Sequence, residues 1–117
     1  IAVTTSRCFV YDDEATVKRL VIGVGAYKPD LAEIIPRTIL ASQVFADDRA
    51  GAQHEAGDLI QAHVDWTRVS SLAAAIKQRP DGTKPIMFKS VGCAAWDLAS
   101  CRLAKKVLEQ AGRLRSA

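Results

Sequence analysis

Short apolar runs, each closed by a glycine or a polar turn, alternate along the chain with segments whose apolar residues return every three or four positions. The runs are Ile1 to Thr5, Leu20 to Val24, Gln43 to Ala46 and Pro85 to Phe88. Most are rich in β-branched or aromatic residues, as expected of strands buried on both faces of a parallel sheet. Helical spacing covers Pro36 to Ser42, Arg49 to Ile60, Arg68 to Lys77 and the long stretch Cys93 to Ala111. Strand followed by helix, repeated, predicts an α/β fold: a parallel sheet flanked by helices, with a long C-terminal helix.

The ends of these segments carry their own signals. Pro36 suits a first helical turn, where its missing N–H would be unpaired anyway. Asp65 or Thr67 is expected to cap the helix carrying Leu72, Ala75 and Ile76. Arg79-Pro80-Asp81-Gly82 should close that helix with a turn. In the last helix Ala94, Leu98, Cys101 and Leu108, with Val107 beside them, form one face, and Arg102, Lys105, Lys106 and Glu109 fall largely outside it. Gly112 is placed to stop it.

Composition narrows the classes. The chain has 117 residues, 49% of them apolar, enough for one domain with a real core. It reads as compact but incomplete, because Ile1 opens a strand already in progress, as if the start were a cut inside a larger fold. The net charge of +3 is modest, and basic residues are scattered apart from Lys105-Lys106 and Arg113/Arg115. No nucleic-acid partner is expected from that distribution. The three cysteines include no CxxC pair, and Cys93 and Cys101 stand eight apart in one helix, too far to bridge. Thiols serving as small core residues in a reducing cytoplasm are the expectation. No apolar run approaches the ~20 residues of a membrane span, so no membrane partner is expected.

Ligands of open parallel sheets bind at the carboxyl ends of the strands, and four places there could carry chemistry. Thr4-Thr5-Ser6-Arg7 offers three hydroxyls, able to meet a ribose, a nicotinamide or a phosphate, or forms an ordinary polar turn. In Gly23-Val24-Gly25-Ala26-Tyr27-Lys28-Pro29-Asp30 the glycines would let a ligand approach the backbone, though the third glycine of the dinucleotide fingerprint is missing. His54-Glu55-Ala56-Gly57-Asp58 begins like a metalloprotease helix but lacks the second histidine, so no zinc is expected, and Glu55 and Asp58 read equally well as solvated. Phe88-Lys89-Ser90-Val91-Gly92 would present free N–H groups, a lysine and a hydroxyl at the start of the last helix, competent for an anion or cofactor. His54 and His63 have no nucleophile in evidence, which argues against a hydrolytic triad.

Taken together, the run Val24 to Glu33, then Asp47-Asp48-Arg49, Glu55-Ala56-Gly57-Asp58-Leu59, Phe88-Lys89-Ser90-Val91-Gly92 and Asp97 resemble the ornithine cyclodeaminase/mu-crystallin family in order and spacing. The resemblance runs from Thr4 to about Val107. It implies that residues 1–117 form the C-terminal part of a Rossmann-like NAD(P)-binding domain. The family's N-terminal substrate and dimerisation domain and its glycine-rich phosphate loop lie outside these residues. It further implies that Thr4, Thr5, Val24, Gly25 and Tyr27 line the nicotinamide side of NADPH or NADH, that Lys89, Ser90 and Gly92 complete that pocket, and that Glu55 and Asp58 lie on the substrate side.

Cyclodeaminases and alanine dehydrogenases of the family carry an aspartate where this chain has Tyr27, and a phenol with an unperturbed pKa of about 10 is no base near neutrality. The departure favours the ketimine reductase branch. There a hydride passes from the nicotinamide to Δ1-pyrroline-2-carboxylate or Δ1-piperideine-2-carboxylate, giving proline or pipecolate. The resemblance thus implies a cytoplasmic homodimeric oxidoreductase of proline metabolism acting on a small imino or amino acid. Ornithine cyclodeaminase or amino-acid dehydrogenase activity is the enzymatic alternative. A non-catalytic, mu-crystallin-like protein holding NADPH or another small ligand is the other. The isolated 117 residues, without phosphate loop or substrate arginine, are expected to be inactive.

Overall fold

A computed structural model describes residues 1–113. Four strands form in the order of the chain: β1 (Leu20–Gly23), β2 (Gln43–Ala46), the two-residue β3 (Ser70–Ser71) and β4 (Ile86–Lys89). All pair in parallel in one sheet of spatial order β1-β4-β2-β3. Parallel neighbours need crossovers, and the helices supply them: α1 (Pro36–Leu40), α2 (Arg49–Glu55), α3 (Gly57–Gln61) and α4 (Leu72–Lys77). The last helix, α5, spans Ala94–Gln110. The expected parallel α/β architecture is therefore present.

The period-2 alternation of strands decides which side is core. Val21 and Gly23, Val44 and Ala46, and Met87 and Lys89 are buried on one face of the sheet. There they meet Ile34, Ile39, Ala52, Ala56 and Leu59, most of them on α1, α2 and α3 or the segments joining them. On the other face Leu20 is 56% exposed, Ile22, Ile86 and Phe88 are half-buried, and Phe45 of the central β2 is buried. The second face is thus covered only in part, at Phe45, which corrects the expectation of burial on both faces throughout. The continuous apolar character of the strands anticipates a fuller covering than residues 1–113 supply.

Three segments differ most from the sequence reading. In Ile1 to Thr5 only Ala2 pairs, as a single parallel bridge to Gly23, with Ala2 N–H donating to Ile22 O at 2.8 Å and Val24 N–H to Ala2 O at 2.9 Å. The stretch Arg49 to Ile60 breaks at Ala56, because the Gly57 N–H leaves the helix ladder for Ala26 O at 3.1 Å. A Cβ on Gly57 would collide with the carbonyls of Lys28 and Leu31, so only glycine lets this loop and α3 approach so closely.

The helix expected from Arg68 starts only at Leu72, and its cap is Ser71, whose hydroxyl accepts from Ala74 N–H at 3.1 Å. Asp65 turns instead on Thr67, accepting from its N–H at 2.9 Å and its hydroxyl at 2.6 Å. The turn expected over Arg79 to Gly82 forms further on, from Asp81 to Lys84, with Lys84 N–H donating to Asp81 O at 3.2 Å, and it is tied to β2, with Asp81 N–H donating to Gln43 Oε1 at 3.0 Å. Gly112 ends α5 in the left-handed region, at φ 65°. No residue of α5 is buried; Leu98 is 52% and Leu103 64% exposed. Arg115 lies outside the described residues.

Candidate functional site

The register of the sheet brings the ends of three strands side by side. Gly23 lies beside Lys89, and Lys89 beside Ala46, while Ala2 flanks Gly23 on the far side. Residues leaving these ends, namely Thr4, Gly25, Asp47 and Ser90, therefore form one carboxyl-end rim, the place where open α/β sheets receive ligands. Two carboxylates from this chain shape it.

The first is Glu33, fully buried. Its Oε2 accepts from Gly25 N–H at 2.7 Å, and its Oε1 accepts from Thr4 N–H. A Cβ on Gly25 would run into the Thr4 backbone and the Glu33 carboxylate. Thr4 and Gly25 are thus pressed together and locked by one acceptor. The backbone of Glu33 extends the lock, because Asp58 Oδ1 accepts from Glu33 N–H at 2.6 Å and from Ile34 N–H at 3.0 Å. Asp58 Oδ2 pairs with Lys89 Nζ at 3.2 Å, both side chains being fully buried. Buried charges persist only when paired and hydrogen-bonded, and this pair meets both conditions.

Asp58 is therefore a buried structural acid and not solvated, which removes one of the two readings its sequence allowed. Glu55, four residues past Gly51 on α2, is exposed. Lys89 spends its ammonium on Asp58, beneath the rim. Of the other expected residues, Thr5 is exposed, Val24 half-buried and Tyr27 42% exposed. The Tyr27 ring lies under Lys28 Nζ, 5.7 Å from its centroid. Gln61 Nε2 fixes the loop beyond, donating to Pro29 O at 2.9 Å and Leu31 O at 3.1 Å.

The second carboxylate is Asp47, directly after β2. It accepts from Ser90 Oγ at 2.7 Å, Gly92 N–H at 2.9 Å and Val91 N–H at 3.1 Å. The N–H groups that the sequence offered to an external anion before the last helix are thus taken, at Val91 and Gly92, by an internal one. Burial alone would push the Asp47 carboxyl up. The hydrogen bonds from Ser90, Asp48, Gly92 and Val91 together outweigh it and hold the group below the usual aspartate value.

Sequence reasoning passed over both carboxylates as functional groups. A signal existed for each: Glu33 is a lone acid in the apolar stretch Leu31 to Ile35, and Asp47 is the first residue past a strand end. Two concavities border the sheet. One of about 310 Å³ sits where β2 begins, among Ile39, Gln43, Val69 and Lys84. The other, about 470 Å³, borders β1 between Ile1 and Tyr11. The second takes in Thr4 from the rim, and neither reaches Gly25, Asp47 or Ser90. Among the described residues no cluster of His, Cys, Asp and Glu could hold a metal ion, and no helix is long and apolar enough to cross a membrane.

No family model matches the chain. It is 55% identical over 108 residues to a Δ1-pyrroline-2-carboxylate/Δ1-piperideine-2-carboxylate reductase of Azospirillum brasilense, a match covering 92% of this chain and 35% of that protein. It is 52% identical over 109 residues to Δ1-pyrroline-2-carboxylate reductase 2 of Burkholderia ambifaria, covering 93% and 35%. The chain thus spans about a third of the length of the curated relatives it matches. Among solved structures, a probable ornithine cyclodeaminase of Bordetella pertussis superposes with a TM-score of 0.78 at 22% identity, over 97% of this chain and 40% of that one. The Δ1-pyrroline-2-carboxylate reductase of Thermococcus litoralis, solved with NADH and L-proline, gives 0.67 at 23% identity, over 84% and 33%. The two superpositions agree with the fold described above.

Proposed function

We propose that the chain belongs to the family of the ornithine cyclodeaminases, on the branch of the Δ1-pyrroline-2-carboxylate reductases, and that it is the nicotinamide-side half of an NAD(P)H-dependent reductase of cyclic imino acids. In a protein of the relatives' length it forms the C-terminal part of the dinucleotide-binding domain. The phosphate loop, the substrate domain and the dimer contact come from residues outside it, and the enzyme works as a cytoplasmic homodimer. The reaction is hydride transfer from NADH or NADPH to the C=N carbon of Δ1-pyrroline-2-carboxylate or Δ1-piperideine-2-carboxylate, with a proton added at nitrogen, yielding proline or pipecolate. The observation that carries this reading is the identity of more than half over nearly the whole chain to proteins named for that reaction.

The rim fits the role. The dinucleotide supplies the hydride; the protein's part is to hold the reacting ring in one place. Thr4, seated against the side of Gly25 that has no Cβ and locked to it by Glu33, forms one backbone wall. Ser90 and Gly92, gathered by Asp47, offer the facing edge. Tyr27, exposed beside the wall, occupies the position where a deaminating relative would carry a carboxylate, so proton abstraction by a carboxylate there has no residue to perform it. Full-length protein should oxidise NADPH or NADH in the presence of Δ1-pyrroline-2-carboxylate. Absence of turnover with both cofactors and both imino acids would refute the proposal.

A further inference from the structure

Asp47 has no role in the reading above beyond holding a turn, yet its contacts constrain what that turn can recognise. Its own N–H donates to Lys89 O at 3.2 Å, so it is anchored to the end of β4. Its Oδ2 accepts from both Ser90 Oγ and Gly92 N–H, and its Oδ1 from both Val91 N–H and Asp48 N–H. Gly92 stands at φ 77°, the left-handed conformation that lets the chain fold back over the carboxylate.

The consequence lies in the proton count. An ionised carboxylate only accepts, and a serine hydroxyl has one hydrogen to give. With that hydrogen donated to Asp47, Ser90 Oγ retains lone pairs alone.

We propose that Asp47 is a positioning residue of the cofactor site: it shapes the Ser90 to Gly92 turn and fixes Ser90 as a hydrogen-bond acceptor for an N–H or O–H of the bound dinucleotide. This rests on the reductase reading. The nicotinamide carboxamide and the adjoining ribose hydroxyls are the donors such a cofactor offers. A phosphate oxygen, which only accepts at neutral pH, is turned away from this spot. The rim therefore selects the nicotinamide end of the molecule by the direction of one hydrogen bond, and the pyrophosphate must be held elsewhere.

The test uses full-length protein with Asp47→Asn and Ser90→Ala, assayed with the reduced dinucleotide and with its 3-acetylpyridine analogue, which lacks the carboxamide N–H. In Asp47→Asn the amide NH₂ must face either the Ser90 and Gly92 donors or the Val91 and Asp48 donors, so the turn cannot be held as before. Both variants should raise the cofactor KM about tenfold, the worth of one hydrogen bond, with kcat falling much less. A purely structural role would instead lower the folded fraction and kcat and leave KM alone, and that result in both variants would overturn the proposal. Ser90→Ala keeps the carboxylate and its backbone donors, so it reports even if Asp47→Asn does not fold. If wild type prefers the natural dinucleotide over the analogue and the variants lose that preference, the donor is the carboxamide. If both cofactors weaken equally, it is a ribose hydroxyl, and either result supports Asp47 in its role. A wild-type protein that binds neither cofactor would sink the reductase reading itself.

Discussion

Two carboxylates clasp the two sides of one rim, and they do so in opposite environments. Glu33 holds Thr4 to Gly25 from a position closed to solvent, and its backbone leans on a second buried acid that is itself neutralised by Lys89. Asp47 holds the Ser90 to Gly92 turn from a half-buried position with hydrogen bonds and no cation. The first side is fixed by folding: its groups cannot let go without stranding a charge in the core. The second is held by contacts that water can replace, and it is the side where solvent pH can act.

The largest effect should come from Asp58→Ala. It leaves Lys89 buried and uncompensated and strips Glu33 and Ile34 N–H of their acceptor, at a cost of about 3–5 kcal/mol in chemical denaturation. A cost below about 1 kcal/mol would mean that Lys89 escapes to solvent and the buried side is not a lock. Next is Gly25→Ala, which pushes a methyl into the Thr4 backbone and the Glu33 carboxylate. Neither can yield freely, so the expectation is about 1–3 kcal/mol of destabilisation and a wall displaced enough to weaken cofactor binding in full-length protein. An alanine tolerated without loss of stability or binding would break the claim of close approach.

Asp47→Asn should cost less, about 1 kcal/mol, because hydrogen bonds at a half-exposed carboxylate are partly replaced by water. The smallest effect separates the two sides by pH. The folded-state value of Asp47 is depressed, so its contribution to stability is fully present above the unfolded aspartate value of about 4. It is lost as pH falls below that, through the depressed value. Asp13, Asp65 and Asp81 are shifted the same way by their own hydrogen bonds, with Arg19 at Asp13, Thr67 at Asp65 and Thr83 at Asp81. The informative quantity is therefore the difference between wild type and Asp47→Asn. That difference should be constant near neutrality and shrink in acid below about pH 4. A difference that does not change with pH would show that the carboxylate's charge is irrelevant to the turn.

The contrast also explains how much the sequence disclosed. Gln43 to Ala46 is a strand as read, and the runs at Leu20 and Pro85 are right in place if not in length, because strand character in a parallel sheet is written in local composition; Ile1 to Thr5 yields only a single bridge. The break at Ala56 was hidden, since it depends on Ala26 and Leu31 reaching Gly57 from a distant loop. Ser71 outcompeted Asp65 as a cap for a similar reason: β3 pairs with β2 and sets where α4 can begin. The rim's backbone residues could be found by position at strand ends. Its two acids could not, because a carboxylate that accepts backbone N–H groups leaves no spacing pattern. The face of α5 read from Ala94, Leu98, Cys101 and Leu108 is exposed along most of its length, with Leu108 half-buried.

The most direct test of the central claim follows the hydride. Full-length protein given dinucleotide deuterated at the reactive carbon of the reduced ring, together with Δ1-pyrroline-2-carboxylate, should yield proline carrying deuterium at its α-carbon. That label is read by NMR, in amounts matching the cofactor oxidised. Proline without deuterium, or no proline from Δ1-pyrroline-2-carboxylate while ornithine given to the same protein yields proline and ammonia with no net cofactor consumed, would contradict the account.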